Sequence, residues 1–338
     1  MFDLFLLGIC LALAALLIVN ALASVLATTA WQFSSRPTKN WSAATRAGFI
    51  FILRTFPATA ALLTVAIFLI PSYLAFEPRQ TGETVSVKLG LLALFSAVGI
   101  ALAVWRGIAT WLATKKLTDD WLTNAEIVRL EILPLPAYRI NHQFPVVAVV
   151  GVLRPKLFVA SQIFDSLSAE ELSAVIAHET AHVTSCDNLK HWLMRICRDA
   201  LVIFPFAYSL DKEWAEAVEM AADEKAASCE SDRAALDLAQ AIIKIARLIP
   251  NGIKPTMPAG AFLIDGEAES GEALMRRIQR LIQLTESKPD FSGWQSRFPK
   301  LVVWFCSALL LLMMLMAINS DALAILHTGI ERVVAFLS

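Results

Sequence analysis

Charged side chains are scarce in this sequence. Asp, Glu, Lys and Arg make up 17% of its 338 residues, whereas 57% belong to the hydrophobic set. So little charge and so much apolar side chain exclude a disordered chain and lie outside the usual composition of a soluble domain. Part of the protein must therefore sit in lipid. Glycine is also sparse, at 13 residues without a three-residue period, which excludes a collagen-like fibre. The five cysteines, Cys10, Cys186, Cys197, Cys229 and Cys306, are odd in number and form no CxxC pair. That excludes a disulfide scaffold and argues against a thiolate metal site. Cys186 follows a candidate metal ligand by four residues, but a small apolar filler explains it better than a redox switch. An excess of either sign of charge is missing too, with 29 basic against 30 acidic side chains and a net charge of −1. Nothing draws the chain to nucleic acid, and no direct nucleic-acid contact is expected.

The charge that is present is unevenly spread. Of the 59 charged residues, 13 lie in 1–112 and 301–338, and the other 46 lie in 113–300. Four stretches are apolar enough to cross a hydrocarbon core, which takes roughly 20 helical residues: about 4–28, 56–76, 89–112 and 301–318. The first has no basic leader and too long an apolar run for a secretory signal, so it is expected to be retained. Arg106, near one end of the third span beside Trp105 and Trp111, reads as an interfacial anchor. The expected architecture is a mainly α membrane protein of four transmembrane helices. A water-soluble domain over 113–300 is inserted between helices three and four, and a short amphipathic tail over 319–338 lies on the outer interface.

Orientation follows from the short loops. Arg36, Lys39 and Arg46 lie between spans one and two without an acid, whereas Arg79 and Lys88 face Glu77 and Glu83 in the next loop. Lys115 and Lys116 follow span three, and Arg297 and Lys300 precede span four. By the positive-inside rule the large domain is cytoplasmic and both termini are external, as in a multi-pass protein of a bacterial inner membrane.

The chemistry concentrates in 167–188. Ser168 and Glu171 have the spacing of a capping box, and the helix they start carries His178-Glu179-Thr180-Ala181-His182. At 3.6 residues per turn the two histidines project from one face, one turn apart, where they can share a zinc ion. Glu179 lies just around the helix, placed to take a proton from a water and hand it to a leaving amine while the metal polarises the scissile carbonyl. The surrounding helix is otherwise apolar, and burying three polar groups without a metal costs about 1 to 3 kcal/mol for each one unsatisfied. A third histidine six residues on is lacking, because position 188 is Asn, and this excludes the metzincin pattern. Downstream, Glu219-Met-Ala-Ala-Asp223 places two carboxylates one turn apart. Glu219 is the expected third ligand, with Glu216 as competitor, and Asp223 is suited to orient a ligand histidine through its free N–H. Pro145–Val150 and Lys156–Ala160 read as a strand pair bracketing a turn at Gly151. Such an edge strand can pair with an extended substrate backbone. Tyr208 and His191 are candidates for stabilising an oxyanion, and no partner is evident for His142.

With these residues on the page, a resemblance is plain. The sequence resembles the membrane-embedded gluzincin metallopeptidases of the BlaR/MecR sensor-transducer type. The likeness runs through Gly151-Val-Leu-Arg154-Pro155, the stretch from Leu167 to His182, Asp187-Asn188, Phe204-Pro205, Glu219-Met-Ala-Ala-Asp223-Glu224 and Leu274-Met-Arg-Arg-Ile278. HtpX-type and CAAX-prenyl-protease-type zincins share the HExxH and ExxAD elements. The resemblance implies Zn2+ held by His178, His182 and Glu219, with Glu179 as catalytic base and Asp223 supporting a ligand. It also implies a signalling endopeptidase whose substrate is a protein or peptide, such as a cytoplasmic transcriptional repressor or the chain itself. A second copy of the chain or a sensor subunit is an open partner. Antibiotic-sensing members carry a C-terminal penicillin-binding sensor domain that these 338 residues do not contain, so direct β-lactam sensing is not expected. A membrane quality-control protease and a non-catalytic zinc-containing receptor or scaffold are the alternative functions.

Overall fold

A computed structural model describes residues 2–76, 85–128, 136–199, 207–228, 233–249, 271–286, 304, 307–308, 311–316 and 318–337. Most of them are helical. The first helix, α1, is Phe2–Ser34; α2 (Ala43–Thr64) continues through a π turn (Val65–Leu69) into α3 (Ile70–Phe76), and α4 is Val87–Leu122. Three continuous helical stretches, Phe5–Ser34, Ala43–Phe76 and Val87–Leu122, are long and apolar enough to cross a bilayer. Their outward faces expose Leu26, Leu74, Leu91 and Trp105, as expected of surfaces covered by lipid. Arg106 is exposed beside Trp105, which suits an interfacial anchor.

The helices run further than hydropathy alone indicates. The second begins at Ala43 rather than near 56, and the third continues to Leu122, so the boundary drawn at 112 falls inside α4. For α2 the reason is charge pairing. Arg46 and Arg54, which read as loop and span-end charges, lie within α2 and pair with Glu213 and Asp211. The start of α2 is doubly held: Ser42 Oγ accepts from the Thr45 N–H, and the Ala43 N–H donates to Glu224 Oε2 at 3.2 Å. The expected fourth span, 301–318, is described only in part, at 304, 307–308, 311–316 and 318, where the residues are helical. Beyond it, α11 (Ser320–Leu337) packs on α3, where Ser72 Oγ donates to the Leu323 carbonyl at 3.1 Å.

Between the membrane helices and α11 lies a small sheet with helices packed on it. The strands are β1 (Glu126–Val128), β2 (Ala137–Ile140), β3 (Val147–Val150) and β4 (Lys156–Ala160), in the order β1-β2-β4-β3. Strands β3 and β4 are the antiparallel pair read from the sequence, joined by a turn in which Gly151 takes φ +115°. A Cβ there would lie 2.9 Å from the Arg154 carbonyl oxygen, so glycine is required twice over. Strand β2 pairs parallel with β4, which leaves β3 as an edge. The helices are α5 (Ser161–Ser166), α6 (Ala169–Ser185), α7 (Asp187–Asp199), α8 (Ala207–Ala227), α9 (Ala234–Leu248) and α10 (Gly271–Glu286).

Two buried clusters position the site. One joins the sheet to α6, α9 and α10 through Phe158, Ile163, Val175, Leu238, Ile242 and Leu281. The other joins Trp31 and Ile50 of the membrane helices to Met194 of α7 and to Leu210, Trp214 and Val218 of α8. Helix α7 also lies close on α4: the Trp192 indole N–H donates to the Gly107 carbonyl at 3.2 Å, and a Cβ at Gly107 would meet Ile196 at 3.1 Å. The helices that build the site are thus packed directly on membrane helices.

Candidate metal centre

Helix α6 starts at the anticipated capping box. Glu171 Oε2 accepts from the Ser168 N–H at 2.8 Å, and Ser168 Oγ accepts from the Glu171 N–H at 3.2 Å. Two turns on, His178 and His182 bring their Nε2 atoms within 3.1 Å of each other, with His178 fully buried. Helix α8 crosses here and presents Glu219. Its Oε2 lies 3.5 Å from His178 Nε2 and its Oε1 lies 3.7 Å from His182 Nε2. Glu216, the competing candidate, is not part of this cluster of three.

The outer nitrogens are also engaged. His178 Nδ1 lies 3.0 Å from Asp223 Oδ1, one turn beyond Glu219 on α8. His182 Nδ1 lies 2.9 Å from Asp187 Oδ2, at the start of α7. A proton on His182 Nδ1, directed at Asp187, leaves its Nε2 lone pair pointing toward Glu219, while the Asp223 carboxylate faces His178 Nδ1 as an ion-pair contact without hydrogen-bond geometry. The residues present fit a zinc ion. Bond lengths of about 2.0–2.2 Å at a tetrahedral centre require ligand atoms about 3.3 Å apart; the two Nε2 atoms are 3.1 Å apart, and Glu219 brings one oxygen within 3.5 Å of the first and its other oxygen within 3.7 Å of the second. Glu219 Oε2 is buried with no hydrogen bond among the described residues; it faces the Arg277 guanidinium at 3.3 Å in an ion pair.

Glu179 sits against the sheet edge. It is 4% exposed, and its Oε2 accepts from the Val149 N–H of β3 at 3.2 Å. The Val149 carbonyl in turn accepts from Asn188 Nδ2 at 2.9 Å, and the same nitrogen donates to the Gly151 carbonyl at 3.1 Å. The cleft beside the cluster is lined by Val149, Glu179, His182, His191, Trp214 and Glu219, among others. The His191 ring packs at 5.7 Å against Trp214, tilted by 39°, whereas the side chain of Tyr208 lies outside the described portion. His142 has a local structural role: its Nδ1 accepts from the Phe144 N–H at 3.1 Å, and its ring packs on Trp121. Cys186 is the exposed left-handed residue that ends α6.

Electrostatics follow from the packing. Burial disfavours a protonated His178, but Asp223 and Glu219 outweigh it and push its pKa up to about 9 in the metal-free site. His182 is raised as well, with Asp187 and Glu219 overcoming burial. Burial raises Glu179 despite the two histidines, as suits a proton carrier. For Asp223 and Glu219 the balance goes the other way: burial is overcome chiefly by Arg277, and both carboxyls are held below their ordinary range.

The sequence reading missed Asp187 and Arg277. Asp187 has a local signal, because it follows directly on the left-handed turn at Cys186 that swings α7 back past His182. Arg277 has none. It reaches the site from α10, 54 residues beyond Asp223.

Apolar helices of membrane length are thus joined to an HExxH helix that faces a carboxylate-bearing helix, the residue set of a membrane metallopeptidase. Residues 75–281, more than half of the chain, match the BlaR1 peptidase M56 family, and the chain belongs to that family. It is also similar to a protein named Protease HtpX homolog from Chlorobium luteolum (strain DSM 273 / BCRC 81028 / 2530). The identity is 28% over 163 residues, covering 41% of this chain and 56% of that protein. The match thus spans little more than half the length of this relative.

Proposed function

We propose that the protein is an integral-membrane zinc endopeptidase of the gluzincin sensor-transducer type. It acts at the cytoplasmic face and cleaves a cytoplasmic regulator, itself, or both. The observation that carries this reading is the convergence of His178 Nε2, His182 Nε2 and Glu219 beside a buried Glu179. Family membership supports the signalling role, and so does the packing of α2 and α4 on α8 and α7, through which a signal in the membrane reaches the cleft.

His178, His182 and Glu219 hold the ion, which supplies Lewis acidity toward a water and the scissile carbonyl. Glu179 does the proton work. Its Oε2 is held by the Val149 N–H, so Oε1 accepts the proton of the attacking water and passes it to the leaving amine. Asp223 and Asp187 keep the histidines in the tautomer that presents Nε2. Strand β3 is an edge beside the site; Glu179 and Asn188 hold its Val149 N–H and carbonyl, so an extended substrate pairs with the part of the edge before Val149. A scaffold with a structural zinc has no use for Glu179.

The test is cleavage and metal content measured together on detergent-purified protein. Glu179→Ala is expected to retain zinc and to lose cleavage of itself and of candidate repressors. Equal cleavage by wild type and variant sinks the enzyme reading. Reporter fusions test the topology, with both termini expected outside and the 113–300 region inside.

A further inference from the structure

Arg277 is a 4% exposed arginine at the centre of the site, and none of the roles above uses it. Its Nε lies 2.9 Å from Asp223 Oδ2 and its Nη2 lies 2.9 Å from Asp223 Oδ1, a two-pronged fork on one carboxylate. Its Nη1 lies 3.3 Å from Glu219 Oε2, so one guanidinium faces a candidate ligand and also the carboxylate behind another ligand. Asp223 Oδ1 is shared, since His178 Nδ1 approaches it at 3.0 Å.

The physical need for this residue is clear. Asp223 is 2% exposed and shares the site with Glu179, Glu219 and Asp187, so four carboxylates lie close together in a water-poor place. A buried carboxylate without an opposite charge is costly, and the planar fork of the guanidinium both supplies that charge and fixes the direction in which Asp223 faces His178. The Nη1 contact restrains the Glu219 oxygen that faces His178 Nε2. One turn along α10, Arg280 pairs with Glu224 of α8 and gives the same two helices a second link away from the ligands.

We propose that Arg277 is a positioning residue that sets Asp223 and Glu219 for a divalent metal. This rests on the metal-site reading above. The test uses the full-length protein in detergent, stripped with a chelator and titrated with zinc against a chromophoric competitor. Wild type, Arg277→Gln, Arg277→Lys and Arg280→Gln are compared, with circular dichroism and gel filtration as checks of folding. Arg277→Gln is expected to lose roughly 10–100-fold in zinc affinity, the range typical when a group that orients a ligand is removed. Arg277→Lys should recover only part of it, because an ammonium keeps the charge and not the fork. Arg280→Gln should bind zinc as wild type does. The proposal is overturned if folded Arg277→Gln binds zinc as tightly as wild type, or if Arg280→Gln loses as much, since undocking of α10 would then be the cause. Should Arg277→Gln not fold, Arg277→Lys decides by the same comparison with wild type. A wild-type protein that takes up no zinc overturns the metal-site reading itself, and this inference with it.

Discussion

Arg54 of α2 and Asp211 of α8 form an ion pair at 3.0 Å in which the arginine side chain is 6% exposed and the aspartate 18%. It ties a membrane helix to the helix that carries Glu219. Deleting one partner of such a pair leaves the other buried and uncompensated, which costs about 3–5 kcal/mol. Arg54→Ala should therefore lower the Tm of the detergent-solubilised protein clearly, and adding Asp211→Ala should restore part of the loss. A double variant whose losses simply add would show that the two charges do not interact.

Asn188 holds the sheet edge through two carbonyls, those of Val149 and Gly151. Each such bond contributes about 0.5–1.5 kcal/mol, and more where a buried carbonyl is left unpaired. Asn188→Ala should raise KM several-fold with a smaller effect on kcat, because β3 then receives an extended substrate in a less defined position. If kcat falls and KM does not move, Asn188 serves the chemistry rather than the substrate strand.

What was legible in the sequence was local. The capping box, the one-turn spacing of His178 and His182 and that of Glu219 and Asp223 depend on helix periodicity alone, and all four residues lie where that period puts them. The β3–β4 turn was legible because Gly151 must adopt a positive φ. Hydropathy failed where charges are neutralised by distant partners: the start of α2 was hidden by Arg46 and Arg54, whose partners lie more than 150 residues away on α8. Arg277 was hidden for the same reason. An arginine on a helix reads as surface until Asp223 is seen behind it. The parallel pairing of β2 with β4 was also out of reach, since four residues, Ala137–Ile140, carry too little pattern to announce a strand.

Asp187 accepts from His182 Nδ1 at 2.9 Å. An asparagine in its place keeps the shape but can offer its amide N–H to Nδ1, which favours the tautomer with the proton on Nε2. Asp187→Asn should thus weaken zinc binding by roughly 10–100-fold while leaving the fold intact. Competition titration measures the affinity and circular dichroism the fold. Unchanged affinity would mean that Asp187 does not set the tautomer of His182.

Protons and metal compete for the same two histidines, and the sign of that competition is fixed by the carboxylates around them. In the metal-free protein His178 is held up from the ordinary 6.5 to about 9, and His182 is raised as well. The metal-free fold therefore has its full contribution from His178 below pH 6.5 and loses it as pH rises toward 9. Zinc binding runs the other way. At pH 7 the ion must displace the proton from His178, so apparent affinity should climb about tenfold per pH unit for each proton released. Titrations at pH 6, 7 and 8 measure the slope, and calorimetry in buffers of different ionisation enthalpy counts the protons. A slope between one and two is expected, together with a metal-free Tm that falls and a zinc-loaded Tm that rises over the same interval. An affinity independent of pH would mean that both histidines are neutral before the metal arrives, and that the surrounding carboxylates do not hold a second proton on them.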